Sequence, residues 1–214
     1  MIYLSQLILN PASNMVQSEL QNPYEMHRTL LNGFANSREN ANVLHRLDIH
    51  PYSGVMALLV QSTVEPNWQP LTQVGQGQYL HAPPVYKSIE LSLRDGQVFR
   101  FRLVANPSYK KDGKRHAYYK EADQRRWLET KGIGCAETKR QSLGFQVLEI
   151  DVQKDGNQYG RIHRDDQKHK ITLYTVQFDG RLQITDAAKF QAAVQSGIGP
   201  AKAFGCGLLS LAPG

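Results

Sequence analysis

The order of local patterns constrains this 214-residue chain more than any single motif does. MIYLSQLILN reads as a strand, and NPYEMHRTLLNGF, residues 22–34, reads as a helix. Two more strands are expected at 43–49 and 55–64, joined by a turn containing His50, Pro51, Ser53 and Gly54. Residues 65–84 are poorly periodic and leave room for one short helix. A second unit then begins. In it Phe99, Phe101 and Leu103 alternate with Arg100 and Arg102, the pattern of a half-buried strand. Residues 120–132 read as a helix ending at Gly132, and 145–153 and 170–178 as strands around a polar insert. Asp179-Gly180 has the chemistry of a tight hairpin turn into RLQIT. A helix capped by Asp186 and Gly197 follows, and GLLSLAP supplies a last strand. The order is roughly β-α-β-β-α-β, then the same again. That is the split βαβ, or ferredoxin-like, arrangement in tandem. The expected fold class is α+β, with domains at 1–90 and 91–214.

A hydrophobic content of 41% supports real cores at this length. No run of about 18 apolar residues occurs, so no membrane span is expected. The apolar N-terminus lacks a basic n-region and is interrupted by Ser5, Gln6 and Asn10, which favours a strand over a signal peptide. Two cysteines, Cys135 and Cys206, are too few for a disulfide framework and lack metal-ligand spacing. A reduced, cytoplasmic protein is the plain reading.

The net charge of +6 is unevenly placed. Residues 1–93 carry 4 Lys+Arg against 6 Asp+Glu, residues 94–140 carry 13 against 6, and residues 141–214 carry 8 against 7. A basic field confined to the middle segment points to a polyanion, with RNA or DNA first. Its candidates are Lys110, Lys111, Lys114 and Arg115 in a basic loop, then Arg125 and Arg126 on the following helix. The polar insert adds Arg161, Arg164 and Lys168, partly offset by Asp165 and Asp166. The competing reading of each group is a solvated charged face.

The helix at 22–34 carries more than packing requires. Asn22 suits the N-cap, Pro23 the first position and Glu25 a capping box. Tyr24 and His27 lie three residues apart and so share a face, and Arg28 is one turn from Tyr24. Histidine is suited to proton transfer near neutrality, tyrosine to orientation, and arginine to holding a phosphate. Against this, His27 falls among Leu30, Leu31 and Phe34 on the wheel, where a core histidine is the ordinary reading. The other six histidines, His45 among them, show no acid–base or metal spacing and read as surface or packing residues. No metal site and no cofactor are expected.

GIGPAKAFGCGLLS contains Gly197, Gly199, Gly205 and Gly207. It fails as a dinucleotide fingerprint, because a helix precedes it and the chain ends shortly after. A backbone loop close to a phosphate chain, with Lys202 adding charge, competes with a plain glycine-rich turn.

At this loop the sequence closely resembles the C-terminus of the CasE family, the repeat-RNA endoribonucleases of type I-E CRISPR systems. NPASNMVQSELQNPYEMHRTL and FRFRLVANPSYKKDGKR resemble the same family, so the likeness spans essentially the whole chain. The resemblance implies two ferredoxin-like domains side by side. It also implies metal-independent cleavage of CRISPR precursor RNA at the base of the repeat hairpin. The 2′-hydroxyl attacks, a 2′,3′-cyclic phosphate forms, and the crRNA stays bound within the Cascade complex. The family's histidine and tyrosine fall on His27 and Tyr24 as catalytic residues. Arg28, the basic groups above, and Gly199, Lys202, Gly205 and Gly207 become RNA-binding candidates. Two other functions fit the residues. One is a noncatalytic RNA-hairpin-binding subunit. The other is a small-molecule enzyme or phosphodiesterase on the same kind of scaffold, which leaves the basic middle segment without a role.

Overall fold

The computed structural model describes residues 1–34, 37–72, 78–137, 141–164 and 167–214, with side chains described in all of these except 155, 161–164 and 167–170. The chain forms two compact units. One comprises Met1–Leu91, Tyr159–Thr172 and Lys202–Gly205, and the other Ser92–Gln158, Leu173–Ala201 and Cys206–Gly214.

The first unit is built on strand β1 (Ile2–Leu9), helices α1 (Asn14–Gln21) and α2 (Pro23–Leu30), and a 3-10 turn, Leu31–Phe34. Strands β2 (Leu44–Ile49) and β3 (Met56–Ser62), the single turn α3 (Gln69–Thr72) and strand β4 (Val85–Ile89) complete it. The sheet order is β2-β3-β1-β4, with every neighbouring pair antiparallel. That order is the ferredoxin-like one, with the first strand between the third and the fourth. Leu7 lies opposite Leu58, and both are fully buried with Leu9 and Val60. Each such side chain contributes about 2 kcal/mol by burial. A one-residue slip of β1 would turn that whole set outward, so the core holds the register. Val16, Met26, Leu30, Phe34, Trp68 and Leu71 close over the sheet. The one polar intrusion from β1, Ser5, accepts a bond from the Trp68 indole nitrogen at 3.0 Å.

The second unit repeats the plan with one insertion. Strand β5 (Val98–Ala105) is followed by a hairpin of β6 (Ser108–Lys111) and β7 (Lys114–Ala117), then helix α4 (Glu121–Ile133). Long strands β8 (Phe145–Arg164) and β9 (Gln167–Ile184), helix α5 (Ala187–Ser196) and strand β10 (Leu209–Pro213) follow. The sheet order is β10-β5-β9-β8, again the first strand between third and fourth. Trp127 of α4 stacks on Phe178 of β9, and Phe190 of α5 meets Phe145 edge-on. Asp186 caps α5 by accepting from the Lys189 amide, and Gly197 ends it at φ 79°.

Four local expectations change. Helix α1 is additional to the elements expected from the sequence. Gly132 lies inside α4 rather than at its end; a Cβ there would sit 2.4 Å from the Phe145 carbonyl oxygen, and Gly134, at φ 83°, is the cap. Asp179-Gly180 is not a turn. Gly180 pairs with Phe101 within β9, where a Cβ would lie 2.0 Å from the Glu149 carbonyl oxygen. The tight turn is Asp112-Gly113, both at positive φ (50° and 72°), so the expected basic loop is a two-stranded hairpin.

Candidate active site

Helix α2 starts at Pro23, whose missing N–H costs nothing in the first turn. Asn22 makes no side-chain bond into the helix, and Glu25 is drawn away from a capping box by Arg28, at 2.9 Å. This pair is exposed and of small energetic worth. The helix turns Met26, Thr29 and Leu30 into the core. Tyr24 and His27, three residues apart, remain half-buried on one face.

Beneath His27 lies a residue the sequence did not mark. His45, on β2, is 1% exposed, and its ring stacks on that of His27 at 5.6 Å and 22°. Neither ring nitrogen of His45, nor Nδ1 of His27, has a hydrogen-bond partner among the described residues. Burial pulls His27 below the usual histidine range. Burial, then the adjacent His27, pulls His45 down to about 3. Both imidazoles are therefore neutral at pH 7. Strand alternation signals only that a β2 residue faces inward; the stacking partner is set by tertiary structure.

The 3-10 turn Lys202–Phe204 reaches this face of the first unit. The Phe204 ring is 5.8 Å from that of Tyr24. A Cβ on Gly160 would lie 2.4 Å from the Phe204 ring, so that position requires glycine. Gly205 follows at φ 82°, and a Cβ on it would stand 3.6 Å from His45 Nε2. Burial lowers the Lys202 pKa, so its ammonium is held in a partly dry setting. Tyr24, His27, Lys202 and Gly205 thus belong to one constellation, with His45 and Phe204 as its unforeseen members.

Gly199 and Gly207 lie in the second unit. Gly199, at φ 87°, makes room for the Trp127 ring, and the Gly207 amide donates to the Val104 carbonyl at 2.8 Å. The Gly205 amide donates to the Lys202 carbonyl at 3.2 Å. These two amides are engaged within the protein rather than offered to a phosphate. Lys110 and Arg115 are cross-strand partners on the β6–β7 hairpin, as are Lys111 and Lys114. Arg125 pairs with Glu121 at 2.8 Å and donates to the Ile150 carbonyl, while Arg126 is exposed. Arg161, Arg164 and Lys168 fall on side chains outside those described. Among the described residues, no group of three or more His, Cys, Asp or Glu is arranged to hold a metal ion, and no helix is long and apolar enough to cross a membrane.

The buried histidine carries a measurable consequence. Unfolded, His45 takes up a proton near pH 6.5; folded, it resists until about 3. Its contribution to stability is intact above pH 6.5 and falls progressively below it. The melting midpoint of the wild type should therefore fall more steeply between pH 6.5 and 4 than that of His45→Phe; parallel curves would refute the assignment.

Two ferredoxin-like sheets, one covered by a helix that carries Tyr24 and a neutral His27, define an α+β protein of tandem ferredoxin-like units. The family model described as CRISPR associated protein matches residues 2–213, and the chain belongs to that family. It is 36% identical over 224 residues to the CRISPR-associated endoribonuclease Cse3 of Thermus thermophilus, covering 99% of this chain and all of that protein. It is 37% identical over 140 residues to the CRISPR system Cascade subunit CasE of Escherichia coli, covering 59% of this chain and 64% of that one. Thermus thermophilus Cse3, solved with an RNA representing a pre-cleavage complex, superposes with a TM-score of 0.80 at 33% identity, over 99% of both chains.

Proposed function

We propose that this protein is a metal-independent endoribonuclease that cleaves CRISPR precursor RNA at the base of the repeat hairpin and stays on the mature crRNA as a Cascade subunit. One observation carries the chemistry. His27 is neutral, half-buried and flanked by Tyr24 on the helix face that meets Lys202–Gly205. The similarity to an RNA-bound endoribonuclease over 99% of the chain supports the substrate class.

RNA brings its own nucleophile, so the protein needs only to move protons, align the backbone and stabilise charge. A neutral His27 takes the proton of the 2′-hydroxyl as that oxygen bonds to phosphorus. The P–O5′ bond breaks, O5′ takes a proton from solvent, and a 2′,3′-cyclic phosphate remains. Tyr24 orients the reacting groups. Lys202 stabilises the extra charge on the phosphorane, more strongly for being partly out of water. Arg28 contacts phosphate once released from Glu25. Lys110, Lys111, Lys114, Arg115, Arg125 and Arg126 follow the backbone of the stem, which A-form RNA presents by shape and phosphate. Arg161, Arg164 and Lys168 complete the basic surface, while Gly199, Gly205 and Gly207 shape the C-terminal loop. In this reading residues 1–90 carry the catalytic helix, residues 91–214 hold most of the RNA, and the protein works in the cytoplasm.

The test is cleavage of the host's repeat hairpin in EDTA, with and without a 2′-deoxy substitution at the scissile nucleotide. Cleavage that persists in EDTA and disappears with the deoxy substrate is the expected result. Cleavage of the deoxy substrate would refute 2′-hydroxyl attack. Tight binding with no cleavage would favour a noncatalytic subunit.

A further inference from the structure

We propose that the second unit contains a pocket for a single unpaired nucleobase, formed by tyrosines at the root of the β6–β7 hairpin; this rests on the RNA-processing reading above. The pocket has a volume of about 390 Å³ and is lined by Tyr109, Ala117, Tyr118, Tyr119, Lys120 and Asp123. That volume is at the small-ligand end of binding cavities, suited to one nucleotide.

The hairpin register explains the pocket's chemistry. Tyr109 pairs with His116 and Lys111 with Lys114, so these four side chains share one face. Ser108, Lys110, Arg115 and Ala117 share the other, where Arg115 donates to the Ser108 hydroxyl at 3.1 Å. Tyr109 contacts two aromatic rings, His116 at 5.5 Å and 26° and Tyr118 at 4.9 Å and 38°. Tyr119 stands edge-on to Tyr174 at 5.0 Å, yet remains 65% exposed. Rings that served only to anchor the hairpin would be buried; here they leave an open slot instead.

Aromatic faces interleaved with lysines are the platform on which single-stranded nucleic acid stacks. Lys111 and Lys114, on the face of Tyr109, and Lys120, at the pocket edge, supply charge for the flanking phosphates. Asp123 supplies an acceptor for a base N–H. A paired base within an A-form stem has both faces covered by its neighbours, so it cannot enter. The occupant is therefore a base outside the stem, in the unpaired RNA beside the repeat hairpin. The pocket then recognises the junction of stem and single strand, a feature that stem contacts alone do not sense.

The test compares affinity for a blunt repeat hairpin and for one carrying unpaired nucleotides on both sides. Full-length wild type, Tyr118→Leu and Tyr119→Leu are used, with 2-aminopurine placed at each unpaired position in turn. Tyr119 is exposed enough for its variant to fold, as a matching melting midpoint would verify. The expected result is about tenfold weaker binding of the flanked RNA by the variants, with the blunt hairpin unaffected. One 2-aminopurine position should be quenched by the wild type and released in the variants. Equal losses on both RNAs, or none on either, would overturn the pocket. Failure of the wild type to bind the blunt hairpin would instead overturn the hairpin reading. The pocket would then be judged on unstructured RNA, where quenching lost in Tyr119→Leu supports it and quenching retained overturns it.

Discussion

Replacing His27 by alanine lowers single-turnover cleavage of the repeat hairpin by about a hundred- to ten-thousand-fold, the usual worth of one acid–base group. Hairpin affinity should hardly change, because that affinity resides in the basic surfaces rather than in a neutral ring. The pH profile sharpens the expectation. In the proposed mechanism the reactive form of His27 is the neutral one, and burial lowers its pKa from 6.5. The acid limb of the wild-type rate therefore lies below pH 6.5, and the rate is level through neutrality. Stopped rapid-mixing assays from pH 5 to 8 would measure this. A wild-type rate already falling as pH drops through 7, or unimpaired cleavage by the alanine variant, would return His27 to a packing role.

Replacing Glu19 by alanine destabilises the first unit by about 2–3 kcal/mol, the cost of stranding buried hydroxyl donors. Glu19 is 3% exposed on α1. It accepts bonds from Thr29 on α2 and from the fully buried Tyr79, the latter at 2.6 Å. Burial pushes Tyr79 up, so its hydroxyl stays a donor at every working pH. Without the carboxylate both hydroxyls lose their partner inside the core. The effect reaches the site because Thr29 is two residues from His27 on the same helix, so cleavage should slow as α2 loosens. Glu19→Gln keeps one carbonyl acceptor and should lose less. The pH dependence has a definite sign. Burial, the largest effect, raises the Glu19 pKa above 4.5 despite the two hydrogen bonds. The protonation-linked part of its contribution is thus greatest below pH 4.5 and is lost as pH rises through the folded value, while the hydrogen bonds to Thr29 and Tyr79 remain. Denaturant titrations should show wild type gaining on Glu19→Gln as pH falls toward 4.5. A stability of Glu19→Ala equal to wild type at neutral pH would refute the network's importance.

Local chemistry determined much of this protein. Alternation placed Phe101 and Leu103 on the inner face of β5, where both are buried. Asp186 and Gly197 bounded α5, since capping depends on residues within one turn. The three-residue spacing that puts Tyr24 and His27 on one face is a property of any helix. The order of such elements sufficed for the ferredoxin-like plan, because few sheet orders join them with short connections. Tertiary structure decided what depends on distant partners. Asp-Gly permits a tight turn at both 112–113 and 179–180. Only the first is one, because Gly180 is needed where Glu149 crosses its backbone. The carboxylate of Glu19 is exposed or buried according to whether Thr29 and Tyr79, ten and sixty residues away, come to meet it. His45 reads as one more inward strand residue until α2 sets His27 on its ring. Burial that keeps an ordinary histidine neutral arises from the assembled neighbours, and no spacing along the chain encodes it.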